Sequence, residues 1–188
     1  MRGRLYVLSG PAGAGKGTVL REVFSRMDGL AYSVSYTTRA PRPGEIEGVH
    51  YFFIDEEAFK KMVSEGKFLE WANVHGHYYG TMKDTVLEAL EKGMDVMLEI
   101  DIQGAEQVKR QMPEAITVFI QPPTFEELVR RLTERGTEGP EDLALRIKNA
   151  EREIQCADRF EYRIINDTVG KAAEEFINII KKYREGAK

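Results

Sequence analysis

Residues 5–18, LYVLSGPAGAGKGT, join an apolar run to four glycines, a lysine and a threonine. Glycines let a backbone turn tightly and bring its N–H groups close to an anion. A helix opening near Gly15 aims its positive end at the same point. Lys16 adds a point charge for outer phosphates. Gly10, Gly15 and Lys16 meet the spacing G-x-x-x-x-G-K, directly after a strand-like run and before a helical one. The implied chemistry is binding of a nucleoside triphosphate by Gly10, Pro11, Ala12, Gly13, Ala14, Gly15, Lys16, Gly17 and Thr18. Position 17 departs from the commoner form, in which a Ser or Thr hydroxyl ligates magnesium. Either phosphate oxygens and water hold the ion, or Thr18 takes part. We expect Mg²⁺ to arrive with the nucleotide and to meet few direct protein ligands.

A second anion site is suggested by SVSYTTRAPRPGE, residues 33–45. Pro41 and Pro43 press Ala40 and Arg42 toward extended geometry. In a polyproline-like stretch residues three apart share a side, so Arg39 and Arg42 are expected to project together. Two guanidinium groups suit a phosphate dianion. Tyr51 and Tyr79 can each add a hydroxyl donor.

Glu70 in FLEWAN and Asp101 in LEIDIQG are acids in runs read as apolar strands. A buried carboxylate needs donors to offset its lost hydration. Guanine offers N1–H and an exocyclic amine, whereas adenine lacks the N1 proton. Glu70 and Asp101 therefore favour guanine where they face a base, and Ser35 and Thr81 can donate to its O6. Asp101, two residues after Glu99 in a strand, also matches the acid that organises magnesium in phosphate-loop enzymes; both readings stay open. His50, His75 and His77 read as loop or surface residues.

These groups must be held by a scaffold. The chain has 188 residues, 42% hydrophobic and 31% charged, with net charge −4. That suits one compact domain with small insertions. An acidic balance argues against a general nucleic-acid or membrane-surface binder. The single Cys156 excludes an intrachain disulfide and reads as a small buried residue. MRGRLYVLSG has too short an apolar run for a secretory signal or a membrane span, so the expected compartment is the cytoplasm. RLYVLSG, DVMLEIDIQG, AITVFIQPP and YRIINDT read as strands. Helices follow at GKGTVLREVFSRM, at MKDTVLEALEKG with Gly93 closing it, at TFEELVRRLTERG and at KAAEEFINIIKKY. Thr124 and Glu127 have the spacing of a capping box. The alternation predicts an α/β fold, a phosphate-loop core with a mostly parallel sheet flanked by helices. Residues 36–81 look like a small β-rich insertion with a helix around 55–65, and 134–142 like a second insertion.

Taken in order, GPAGAGKGT, SYTTRAPRPGE, HYFF, FLEWA, HYYGT, EIDIQG, RRLTERGTE and IIND resemble the guanylate kinase family over nearly the whole chain. The resemblance implies transfer of the ATP γ-phosphoryl group to GMP, giving ADP and GDP, with Mg²⁺. It implies a core of 1–34, 82–125 and 151–188, a GMP-binding insertion of 35–81 and a lid of 126–150. By this resemblance Arg39, Arg42, Tyr51 and Tyr79 hold the GMP phosphate, and Ser35, Glu70, Thr81 and Asp101 surround guanine. Lys16 serves ATP, Arg131, Arg135 and Arg146 reach the phosphates during transfer, and Asn166 lies near adenine. Gly17 and Thr81 stand where the family more often has Ser, and the loop is similar to the adenylate kinase form. The expected partners are ATP and GMP, with neither nucleic acid nor membrane; oligomeric state is not expressed in the sequence. A kinase for another nucleoside monophosphate, a nucleotide-dependent regulator and a guanylate-kinase-like interaction domain remain alternatives. Lys16 and the lid arginines speak against the last.

Overall fold

The computed structural model describes residues 2–74, 76–134 and 140–186. The chain begins β1 (Leu5–Ser9), α1 (Lys16–Arg26), β2 (Leu30–Tyr32), β3 (Tyr36–Thr37), β4 (Phe52–Phe53), α2 (Glu56–Ser64), β5 (Phe68–Val74) and β6 (His77–Met82). It continues α3 (Lys83–Glu91), β7 (Asp95–Glu99), α4 (Ile102–Gln111), β8 (Ile116–Gln121), α5 (Phe125–Glu134), α6 (Pro140–Ile154), β9 (Tyr162–Ile165) and α7 (Val169–Glu185). One sheet has the order β2-β7-β1-β8-β9 and a smaller one the order β4-β3-β6-β5. β2 with β7 and β8 with β9 pair in parallel. In the smaller sheet β6 runs antiparallel to β3 and β5. This is the α/β fold with a β-rich insertion that the sequence predicts.

The residues group into two compact units, Met1–Val7 with Gly29–Ile116, and Leu8–Asp28 with Thr117–Lys188. In the first, Asp55 caps α2 by accepting from Ala58 N–H at 2.7 Å. That helix buries Phe59 completely. The Phe59 ring stacks on Phe68 at 4.6 Å and on Tyr78 at 5.4 Å, which fixes α2 to the β5–β6 pair. α4 lies against β5: Gln107 exchanges hydrogen bonds with the Trp71 backbone, and Gln111 donates to Leu69 O at 2.6 Å. These amides occupy backbone groups of an edge strand that otherwise invite foreign pairing.

In the second unit α1 packs on α7, whose buried stripe includes Ala172, Phe176, Ile179 and Ile180. Leu128 and Leu132 of α5 and Ala150 of α6 form a small core, joined by Ala12 of the glycine-rich loop. The helices of the expected lid thus pack on the loop itself. Thr124 receives Glu127 N–H at 3.1 Å, but the Glu127 carboxylate turns to Arg130 and Arg131, so only half of the expected capping box forms.

Several sequence expectations need correction. Asp101 is not in a strand: β7 ends at Glu99, and Asp101 is the N-cap of α4, accepting Gly104 N–H at 2.9 Å. α4, the fifteen-residue α6 and the three-residue β2 have no counterpart among the elements expected from the sequence. Cys156 is only half-buried, because it follows the exposed end of α6 and directs its Sγ to Arg152 O at 3.6 Å. Arg42, Pro43, Gly44 and Glu45 form a tight turn, closed by Glu45 N–H to Arg42 O at 3.0 Å, not a continuous polyproline stretch. Gly44 has φ of 85° there, a conformation that Pro-Gly favours.

The α2 anchor is testable. Phe59→Ala should cost about 3–5 kcal/mol, as expected for a buried ring removed without collapse. Urea unfolding followed by circular dichroism measures it; a loss under about 1 kcal/mol would show that the aromatic stack does not hold this unit.

Candidate functional site

In the second unit the loop between β1 and α1 approaches β8 closely. Gly10 has φ of 144°, and a Cβ there would run into the Ile120 carbonyl oxygen. Gly15 is the N-cap of α1 in a left-handed conformation, φ 86°, and gives the helix no side-chain cap. A helix N-terminus without a side-chain cap is the arrangement that suits an anion. Lys16 folds its ammonium over the loop, donating to Gly10 O at 2.6 Å and Pro11 O at 3.2 Å.

Asn166 braces this loop. It is 3% exposed and donates from Nδ2 to Ala14 O at 2.8 Å. Its own backbone accepts from Arg131 at 3.1 Å, while its N–H donates to Gln121 O at 2.7 Å. One side chain after β9 thus fixes the loop and helps hold the expected phosphate arginine. Arg131 is also paired with Glu127 at 2.7 Å. Arg130 and Arg131 together pull the Glu127 carboxyl down to about 2. A cavity of about 350 Å³ is lined by Gly13, Gly15, Thr18, Arg131, Asn166 and Asp167, among others. Arg146 is half-buried on α6. Arg135 and His75 lie outside the described residues.

In the first unit three of the four expected phosphate residues meet. Arg39 Nε donates to Tyr79 OH at 3.3 Å, and its guanidinium lies 5.4 Å from the Tyr51 ring centre. The Tyr51 and Tyr79 rings are 5.8 Å apart. Burial, followed by the neighbouring Tyr79, pushes the Tyr51 hydroxyl pKa up and keeps it a donor. Arg42 joins through its backbone, while its side chain is exposed. Glu45 was absent from the sequence-derived set. Its carboxylate takes both ends of the Arg39 fork, at 3.0 and 2.8 Å, and Arg42 N–H at 2.7 Å. The bond to Arg39 outweighs burial and lowers the Glu45 pKa. The Pro-Gly turn was the signal that could have revealed it, since it returns Glu45 to the arginine six residues earlier.

Glu70 is 3% exposed. Register shifts between Phe68 and Glu70, a bulge beside the acid of the kind that re-aims side chains. Thr81 lies opposite and donates its hydroxyl to Glu70 Oε1 at 2.5 Å. Continuing the β3–β6 register by one residue sets Ser35 opposite Thr81. Burial is the largest effect on Glu70 and raises its pKa to about 7, with the Asp101 charge adding to the rise.

Phosphate-loop architecture with a second, acid-containing β unit defines a nucleotide-binding α/β protein of the monophosphate kinase class. A sequence model described as guanylate kinase matches residues 2–183. Guanylate kinase of Caldanaerobacter subterraneus is 50% identical over 179 residues, 95% of this chain and 87% of that protein. A guanylate kinase of Thermus thermophilus is 48% identical over 184 residues, 98% of this chain and 83% of that one. The crystal structure of guanylate kinase from Anaplasma phagocytophilum has a TM-score of 0.81 at 33% identity, covering 97% of this chain and 86% of that chain. This chain belongs to the guanylate kinase family. Among the described residues no helix is long and apolar enough to cross a membrane.

The loop brace and the buried acid can each be tested. Asn166→Ala strands the Ala14 carbonyl, at about 1–3 kcal/mol, and should raise KM for ATP while leaving KM for GMP unchanged. Equal effects on both substrates would refute the bracing role. Glu70 sets a pH dependence. Between its ordinary 4.5 and about 7 the native protein holds a proton that the unfolded chain has released. Folding stability therefore falls as pH rises through this window. Glu70→Gln should remove that slope from the difference between thermal melts, and an unchanged slope would contradict the assignment.

Proposed function

We propose that the chain transfers the γ-phosphoryl group of ATP to GMP, yielding ADP and GDP. The observation that carries the reading is Glu70 buried beside Asp101, on the same unit as the Arg39, Tyr51 and Tyr79 cluster. A base reader with two carboxylates and a phosphate reader with a guanidinium and two phenols suit a guanine nucleotide monophosphate. Glu70 and Asp101 accept from the guanine N–H donors, with Ser35 and Thr81 beside them. Arg39, Arg42, Tyr51 and Tyr79 hold the phosphate.

The Gly10–Thr18 loop and Lys16 hold the triphosphate, and the cavity beside Asn166 receives the rest of ATP. Transfer requires two mutually repelling anions in line, so the protein neutralises, aligns and excludes water. The attacking phosphate oxygen is already ionised and needs no general base. Arg131 and Arg146, together with Arg135, stabilise charge on the group in flight. Magnesium fits as an ion carried by ATP. Gly17 has no side-chain oxygen, and the Thr18 hydroxyl, which accepts from Arg21 at 3.2 Å, keeps one lone pair for the ion, so phosphate oxygens and water would supply most of its coordination. When bound, the ion neutralises the outer phosphates. This reading keeps the cytoplasmic compartment expected from the sequence.

A coupled ADP-release assay with ATP and Mg²⁺ against GMP, AMP, dTMP, UMP and CMP tests it. GMP should exceed each other acceptor by on the order of a thousandfold in kcat/KM, because buried acceptors are left unpaired by the wrong base. Comparable turnover of another monophosphate would replace the assignment, and phosphate binding without turnover would favour an interaction domain. Lys16→Ala should lower kcat by roughly a hundredfold or more without changing the fold.

A further inference from the structure

We propose that Gly104, in the first turn of α4, is a positioning residue for base recognition. Its missing Cβ is the space in which the Glu70 carboxylate lies. A Cβ at this position would overlap Glu70 Oε2, come within 3.1 Å of Glu70 Cδ and lie 3.2 Å from Asp101 Oδ1. Gly104 does not have a positive φ, so the helix itself does not require glycine. The requirement is spatial.

Two further facts locate the consequence. Gly104 N–H donates to Asp101 Oδ1 at 2.9 Å, a bond that any residue except proline keeps. Asp101 therefore keeps its capping donor when a methyl group is added, with its carboxylate giving way by a few tenths of an ångström. Glu70 has less freedom. Thr81 holds one oxygen at 2.5 Å, and the bulged strand fixes its backbone. Overlap at position 104 must be relieved by the far end of a side chain, which moves at smaller cost than the backbone of α4 or β5. The fold survives and the carboxylate is displaced. One residue thus sets both acids, Asp101 through its amide and Glu70 through its bare Cα. This rests on the reading of Glu70 as an acceptor for guanine.

The test is Gly104→Ala in the full chain, assayed with GMP and with inosine 5′-monophosphate, which lacks the exocyclic amine. Loss of a charge-assisted hydrogen bond predicts that KM for GMP rises about tenfold or more, and that the preference for GMP over the inosine nucleotide shrinks. KM for ATP should stay at the wild-type value, with kcat at saturating GMP within about twofold. Alanine is the better helix former, which offsets part of the cost of the overlap, so the melting temperature should change little. Glu70→Asp withdraws the carboxylate by a methylene and should be less harmful when combined with Gly104→Ala than when introduced alone. Wild-type KM and wild-type base preference in Gly104→Ala would overturn the proposal. So would a fall in melting temperature with equal losses for both substrates, which would make the glycine a packing residue. Glu70→Gln is run in parallel. If it alone leaves GMP recognition intact, the reading of Glu70 falls and this inference with it; if it impairs GMP while Gly104→Ala does not, only this inference falls.

Discussion

A carboxylate withdrawn from water keeps its charge only when donors replace the solvent. Glu70, at 3% exposure, is where this constraint acts most strongly. Thr81 supplies one donor, and burial still lifts the pKa to about 7. A ligand presenting two N–H groups would supply what the protein withholds. Local structure around Glu70 is arranged to maintain that deficit: a bulge beside the acid, a cross-strand hydroxyl, and a helix turn near enough to exclude water. Filling the site with protein donors would make the acid more stable and less able to read a base.

The same logic with the charge reversed governs the cationic groups. Lys16 rests on two loop carbonyls, Arg39 on Glu45, and Arg131 on Glu127 and the Asn166 carbonyl. Each has a protein partner that orients it. Arg39 and Glu45 have side chains only 10% and 17% exposed, so their fork geometry is held more firmly than that of a surface pair. The resting partner fixes direction as well as charge, and side chains already ordered lose less freedom when a phosphate arrives.

What could be read from the sequence follows from how local each signal is. β1, β7 and β8 are short apolar runs, and the glycine-rich loop carries its chemistry in adjacent residues. α4 was hidden because IQGAEQVKRQ is mostly polar and buries only Gly104, Ala105 and Val108. An acid after an apolar run then reads as the end of a strand, although Asp101 begins a helix. The Arg39–Glu45 pairing depends on a turn that the alternating prolines disguised as an extended segment. Asn166 and Gly104 act through contacts to Ala14 and Glu70, residues far from them along the chain, and no periodicity records such contacts. The residue types were legible, whereas the partners that orient them were not.

On the proposed reading, binding at these groups is an exchange of partners, and that shapes selectivity. A cation already satisfied by a carboxylate or carbonyl gains little from a loosely placed anion, because the incoming contact must exceed the one it displaces. Only a ligand that meets several such groups together can exceed it. A free nucleotide would bring a phosphate and a base to the two groups of residues proposed to take them. On the proposed reading such resting pairs set a threshold, and Glu45 discriminates between ligands by competing with them for Arg39.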